Sequence, residues 1–538
     1  MKTSNYSAAL VFGKIFYRGF HGWKPRCFLS VPSGPSVVEF LWLRLIVCIF
    51  FGLTGSSANA QIQQAWVARY NNGITNGTNQ AVKMALDPVG NIYVTAFSQN
   101  ANSNLGYVTI KYAPNGNQLW ATRYDSTNYP AATPAALALD GSNNVFVTGS
   151  ALTIKYDPSG NALWTAPYAG SALAVDSNAN VYVAGFSQNF GTVKLSPQGS
   201  NVWLTTYTES YGPTVSQAVL VDSANNVYVS GLDSYYSFVE NGVTNAYVTL
   251  TTIKYEPNGN QIWKASEAPV PEVSNVQVTG SAFDNANNLY MVANYYTSYG
   301  YFALKYASNG NLNWTWSFGE TGAASGLSFA PASNIVLTGR TPRNYPNYAY
   351  CTATLDANGS TVWISYYPQA VFRYPQSPVY VSTANAIATD SANNAYVTGY
   401  SPGTNSGNDI VTIKYGPNGN QVWLQRYHGP GNGNDAGNAI AVDNKGNVYV
   451  TGYETTAAGG TEMVTIKYAP VTLQRRSDGT VLLQAQGLAG ESFDFQGSTD
   501  LMNWLDLGSA LADSNGLAQF EDTNASNYNW RFYITSPQ

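Results

Sequence analysis

The chain has 538 residues, more than one hydrophobic core ordinarily serves, so it holds either several domains or a repeat array. Charged residues make up only 10% of it and the net charge is −5, which argues against nucleic acid and anionic membranes as partners. An aromatic fraction of 14%, built largely on 40 tyrosines, together with abundant Gly and Asn, describes a β-rich chain with many turns.

The first 60 residues stand apart. Lys2, Lys14, Arg18, Lys24, Arg26 and Arg44 precede an apolar run from Leu45 to Leu53, and the segment ends in Ala58-Asn59-Ala60. This pattern predicts a signal peptide cleaved before Gln61, hence an exported protein that is secreted, periplasmic or held at the cell surface, without a transmembrane segment after cleavage. Six basic residues and one acid leave with it, taking the net charge from −5 to −10. Cys27 and Cys48 leave as well, so Cys351 has no intramolecular disulfide partner.

From here the chain repeats. The clearest copy reads Ala386-Ile387-Ala388-Thr389-Asp390, Ala395-Tyr396-Val397-Thr398-Gly399, Ile410 to Tyr415, and Gln421-Val422-Trp423-Leu424-Gln425-Arg426-Tyr427. Period-2 alternation and β-branched or aromatic residues predict four strands. Asp390-Ser391-Ala392-Asn393-Asn394 and Pro417-Asn418-Gly419-Asn420 predict tight turns between the first and second and between the third and fourth. The closing aspartate recurs at Asp87, Asp140, Asp176, Asp222, Asp284, Asp390 and Asp443, with Ala330 in a degenerate sixth copy, which gives eight copies.

Tryptophan marks the fourth strand at Trp120, Trp164, Trp203, Trp263, Trp314, Trp363 and Trp423, and the last copy lacks one. Gln64-Ala65-Trp66-Val67-Ala68-Arg69-Tyr70 matches Gln118 to Tyr124 and is predicted to supply the missing strand. A ring that borrows its last strand from the opposite end closes without a free edge. The expected architecture is therefore all-β: a β-propeller of eight four-stranded blades over residues 61–470, closed by its terminal strand, a monomer, followed by a small β-domain over 471–538.

The run of Asp, Asn-Val-Tyr-Val-Thr-Gly, Thr-Ile-Lys-Tyr, Pro-Asn-Gly-Asn and Trp resembles the bacterial SBBP repeats, named for a seven-bladed β-propeller; the count here departs from that name by one. The resemblance implies a propeller fold and an extracytoplasmic binding or structural role. In the last segment, Ser498-Thr499-Asp500-Leu501, Asn503-Trp504 and Arg531-Phe532-Tyr533 resemble a C-terminal module of large secreted bacterial proteins.

Catalytic chemistry finds little material. With His21 in the presequence, a histidine triad would rest wholly on His428, which stands in a Gly/Asn-rich loop and reads as a solvated side chain. One His and one Cys make a poor zinc site, and the repeated aspartates read as turn caps rather than calcium ligands. The Asn-Gly-Asn-Gln-Val-Trp segments echo a docking motif of eight-bladed quinoprotein and outer-membrane assembly propellers, but the paired cysteines of the quinone-dependent enzymes are missing and the indoles read as inter-blade packing. No catalytic residue, metal or cofactor is expected.

Recognition is expected on the edge where second-to-third and blade-to-blade connections gather, because the other edge carries only tight turns. Aromatic and arginine residues concentrate there from the fourth copy to the seventh, and the candidate ligand-binding residues are Tyr235, Tyr236, Tyr295, Tyr296, Tyr299, Tyr345, Tyr348, Arg343, Arg373 and Tyr374. Tyr301, Tyr350, Tyr366, Tyr367, Arg340 and Asp233 fall in the same stretches. A glycan or an extracellular or envelope protein would suit such a surface. The alternatives are a structural or assembly scaffold without a dedicated ligand, and a polysaccharide-active enzyme using loop carboxylates.

Overall fold

The computed structural model describes residues 59–185, 190–207, 214–240, 243–267, 276–295, 300–319, 321–331, 334–343, 347–368, 381–403, 406–500, 502–528 and 531–537. The expected signal peptide lies almost wholly outside them. Each repeat folds as an antiparallel sheet of four strands hydrogen-bonded in chain order. In blade 1 these are Asn79–Leu86, Ile92–Gln99, Leu105–Tyr112 and Gln118–Tyr124. Sheets of the same form over 134–166, 172–207, 215–267, 276–317, 323–367 and 383–427 are blades 2 to 7.

Second strands are buried on both faces between neighbouring blades, so Val145–Gly149 and Val181–Ala184 show no exposed position, whereas a fourth strand at the rim such as Asn201–Tyr207 mixes exposed and half-buried residues. The threonines of the second and third strands pair across the sheet, Thr148 with Thr153 at 2.8 Å and Thr451 with Thr465 at 2.9 Å. The closing aspartates act as the turn chemistry predicts: Asp87 Oδ1 accepts from the backbone of Val89 and Asn91, and Oδ2 from the Asn91 amide and the Tyr93 hydroxyl.

Adjacent blades are joined by a repeated clasp. The carbonyl of the residue two positions before the turn's glycine accepts two bonds from the preceding blade, one from tryptophan Nε1 and one from lysine Nζ. Trp120 and Lys111 both reach Pro158, Trp164 and Lys155 reach Pro197, Trp203 and Lys194 reach Pro257, Trp263 and Lys254 reach Ser308, and Trp314 and Lys305 reach Ala357. Each of these lysines also lies over the second-strand ring of its own blade, Lys254 at 4.7 Å from the Tyr228 centroid and 3.6 Å from Asp222. Each tryptophan lies against the glycine of that same turn, which adopts a left-handed φ.

Blade 8 is assembled from both ends of the described chain. Ala436–Val442, Val448–Thr455 and Thr461–Arg475 are its first three strands, and Asn59–Tyr70 pairs with the third as the fourth. Trp66 sits opposite Lys467, the register that Trp423 holds opposite Lys414. Trp66 and Lys467 then clasp Pro114 of blade 1, each at 3.1 Å. First strands touch in cyclic order, and Asn438 of blade 8 donates to the Ala81 carbonyl of blade 1 at 2.9 Å, so the ring is closed.

The third strand of blade 8 runs on past residue 470, so the expected domain boundary falls inside one strand. Its end pairs with Val481–Gln486, which pairs with Leu517–Asp522; a three-stranded sheet of Leu505–Leu511, Ser492–Ser498 and Phe532–Pro537 packs on these around Leu473, Leu483, Phe493 and Phe495. Within this core Arg531 pairs with the buried Asp522 at 2.8 Å. Lys467 reaches the module at Gln486 Oε1, 2.7 Å away, and Thr535 reaches back to Gln63.

Two tests follow from the clasp. At Gly160, φ is +91° and a Cβ would lie 2.7 Å from Trp120, whereas at Gly141 a Cβ meets nothing within 4 Å. Gly160→Ala should lower the unfolding free energy by about 1–3 kcal/mol in urea titration, with Gly141→Ala close to wild type. Burial brings Lys467 down to about 8 from 10.5, with Asp443 opposing. The unfolded chain then holds more protons across that interval, so stability should rise with pH from about 8 until unfolded tyrosines begin to ionise near 10. In Lys467→Met that part of the rise should vanish from unfolding free energies measured across the same pH range.

Candidate functional site

On the edge that carries the second-to-third and blade-to-blade connections, blades 6 to 8 present a continuous track of charged and aromatic groups. In blade 6 the Arg340 guanidinium lies 5.3 Å from the Tyr348 centroid and that of Arg343 lies 4.0 Å from the Tyr366 centroid. Arg340 and Arg343 lie near the end of the strand Asn334–Pro342 and just after it, Tyr348 begins Tyr348–Leu355 and Tyr366 lies near the end of Thr361–Tyr367; all four are half-buried. Tyr367 accepts a bond from Arg426 of blade 7 at 3.1 Å, which carries the track across the blade boundary.

Arg426 also donates to Asp409 Oδ2 at 2.7 Å and to the Ser401 and Pro402 carbonyls. Asp409 Oδ1 faces His428 Nδ1 at 3.1 Å, and His428 Nε2 lies 2.7 Å from Asn432 Oδ1. Asp435 closes the far side, accepting from the backbone of Gly429 at 2.7 Å and Thr455 at 2.8 Å. Asp409 and Asp435 are buried, 3% and 1% exposed, while the His428 side chain is 36% exposed, so the carboxylates form a floor and the imidazole a rim. One ligating atom from each of the three lies within 4.8 Å of the others. Burial raises the Asp435 carboxyl, helped by the charge of Asp409. Burial works against protonated His428, but its bonds to Asn432 and Asp409 and the charges of Asp409 and Asp435 prevail and raise it.

In blade 8, Glu454 is fully buried and takes bonds from Tyr427 and from Arg69, whose Nε lies 2.6 Å from Oε1. Burial raises the Glu454 carboxyl against both partners. Arg69 belongs to the closing strand, so this pair also ties the ring shut at the edge.

Of the residues singled out in the sequence, Arg343 and Tyr348 take part in this track. Tyr295 instead packs on Phe302 of its own blade at 6.4 Å. Tyr235 and Tyr236 lie in a long hairpin, Val227–Glu240 against Val243–Tyr255, where a loop was expected; only their backbone is described. Tyr296, Tyr299, Tyr345, Arg373 and Tyr374 lie outside the described residues. Tyr301 and Tyr350, expected on the loops, are fully buried core, and Asp233 is 1% exposed with Thr251 donating to it. His428, expected to be merely solvated, is held at both ring nitrogens. A signal for this existed: Asp409 begins a third strand, His428 follows a fourth and Asp435 precedes a first, all ends that a meander brings to one edge.

Comparison with known proteins adds the following. The SBBP β-propeller repeat matches residues 426–453, from the end of blade 7 into the second strand of blade 8. No curated protein matches the chain. Among solved structures, the chain is similar to the Pan2 WD40 domain of Neurospora crassa, with 11% identity over 77% of this chain and 97% of that one and a TM-score of 0.41. It is also similar to a Dyadobacter fermentans protein of unknown function, at 9% identity over 76% and 99% with a TM-score of 0.37. The polysaccharide lyase Uly1 is similar at 7% identity over 74% and 91%, with a TM-score of 0.38.

Removing the cation from the blade 8 pair would leave the buried Glu454 short of its partner. Arg69→Met should cost about 2–3 kcal/mol in thermal or urea unfolding, and adding Glu454→Gln to it should recover part of that loss.

Proposed function

We propose that this protein is an exported, non-enzymatic recognition propeller that holds a glycan or an extracellular protein segment on the loop edge of blades 6 to 8. The observation that carries this reading is the two stacked pairs, Arg340 on Tyr348 and Arg343 on Tyr366, side by side on one blade. Stacking fixes both rings and both guanidinium groups before a ligand arrives, so little side-chain entropy remains to be lost on binding. Arg426 and the His428 network extend the same edge with polar groups suited to hydroxyls, carboxylates or backbone amides. The expected presequence supports an extracytoplasmic setting for such a ligand.

A second reading, an envelope scaffold, is favoured by a different surface. The outer strands expose Leu119 at 53%, Leu163 at 52%, Val202 at 54% and Val362 at 51%, apolar side chains spaced around the rim.

The test is retention of the purified protein on a panel of immobilised polysaccharides and envelope proteins, beside the triple variant Arg343→Ala, Tyr348→Ala, Tyr366→Ala. Selective retention that falls at least about tenfold in the variant, the loss of roughly 1.4 kcal/mol, supports recognition on this edge. Retention unchanged by the substitutions overturns it, and no retention on any member of the panel moves the assignment to the scaffold.

A further inference from the structure

The geometry points to a divalent transition-metal site at Asp409, His428 and Asp435, and we infer that it takes Zn²⁺ or Mn²⁺. The three side chains come from separate elements: the third strand of blade 7, the connection that follows its fourth strand, and the residue before the first strand of blade 8. Their donor atoms nonetheless gather within 4.8 Å. The 3.1 Å between His428 Nδ1 and Asp409 Oδ1 is close to the separation of two adjacent donors around a cation with bonds of about 2.1 Å.

The surroundings of the three are those a metal site requires. A ligating histidine ordinarily gives its other N–H to an oxygen acceptor, which fixes the ring and its tautomer. His428 has that acceptor in Asn432 Oδ1 at 2.7 Å, with Nδ1 turned toward the carboxylates. Arg426 holds the far oxygen of Asp409, Ser406 donates to its near oxygen at 2.9 Å, and two backbone N–H groups hold Asp435, so neither carboxylate depends on the cation for its orientation. Each carboxylate oxygen has two lone pairs, and these bonds leave capacity for a metal. Two buried carboxylates this close also carry a repulsion that a cation between them relieves.

The donor set selects the class of ion. One imidazole and two carboxylates suit zinc, manganese or ferrous iron, whereas calcium calls for six or more oxygens. The His428 side chain is 36% exposed, so the site meets solvent through the imidazole, on the same edge as the Arg–Tyr pairs. This inference stands on the three residues and is independent of what the propeller recognises.

The experiment is isothermal titration of the tag-free, chelator-stripped protein with ZnCl₂ and, separately, MnCl₂. One equivalent should bind at least one of the two ions, at least about tenfold weaker in His428→Ala, and excess CaCl₂ should not compete. If His428→Ala fails to fold, ¹⁵N-histidine NMR of the wild-type protein decides: the metal should move the His428 Nδ1 resonance far more than Nε2. Absence of stoichiometric binding by either ion, binding unchanged in His428→Ala, or an unmoved Nδ1 resonance overturns the site.

Discussion

The structure depends on one oxygen in each of blades 1 to 6: the carbonyl two residues before the turn's left-handed glycine, which accepts from both an indole and an ammonium of the preceding blade. Pro158, with Trp120 at 3.0 Å and Lys111 at 3.2 Å, is representative. The bond pair sets how far apart neighbouring sheets stand at the rim and which residue of one faces which residue of the next. Everything on the opposite edge, including the Arg–Tyr pairs, inherits its spacing from that repeat. Blade 6 shows how tightly the parts of the clasp are linked, because its aspartate, second-strand tyrosine and lysine are replaced together by Ala330, Val336 and Thr354. Keeping any one charge there without its partner would leave it buried and uncompensated. Trp363 still donates to Pro417 at 3.0 Å, with no lysine beside it, and Ser365 donates to the Gly419 carbonyl of the same turn at 2.6 Å.

Blade 8 departs in another way. Its third strand continues outward instead of turning, so blade 7 has no turn carbonyl to clasp. The closing strand fills the gap: Ile62 packs with Trp423 and Tyr468, and Gln425 donates to the Ile62 carbonyl at 3.2 Å. Gln63, next in that strand, bonds to both Gln486 and Thr535 of the C-terminal module. The seam of the ring is thereby held from two sides, by the blade beside it and by the module behind it.

Much of this was legible in the sequence because it is written in short range. Alternation, Asx turns and the Pro-Asn-Gly-Asn motif act within a few residues, and they place strands, turns and the register of Trp66 without reference to the rest of the chain. Indole packing between blades was also readable, though not the shared carbonyl, which needs the position of a neighbouring repeat. What escaped was decided by how far strands run past the repeat. The hairpin of 227–255 extends into residues that look like an aromatic loop, and Tyr301 and Tyr350 fall just inside strands rather than outside them. The His428 network escaped because it needs the conformations of connections from two blades at once, and a histidine among Gly and Asn gives no local sign of that.

The closing strand carries a kinetic consequence. Residues 59–70 emerge early in synthesis, yet their partner, the strand Thr461–Arg475, comes after seven complete sheets. Until then this strand lies without a mate while blade 7 and blade 1 lack the blade that separates them. Pairings of such wide sequence separation form slowly, and an unsatisfied edge is a template for pairing with another chain. An early strand left waiting in this way offers the seam of a second molecule the same pairing that it offers its own.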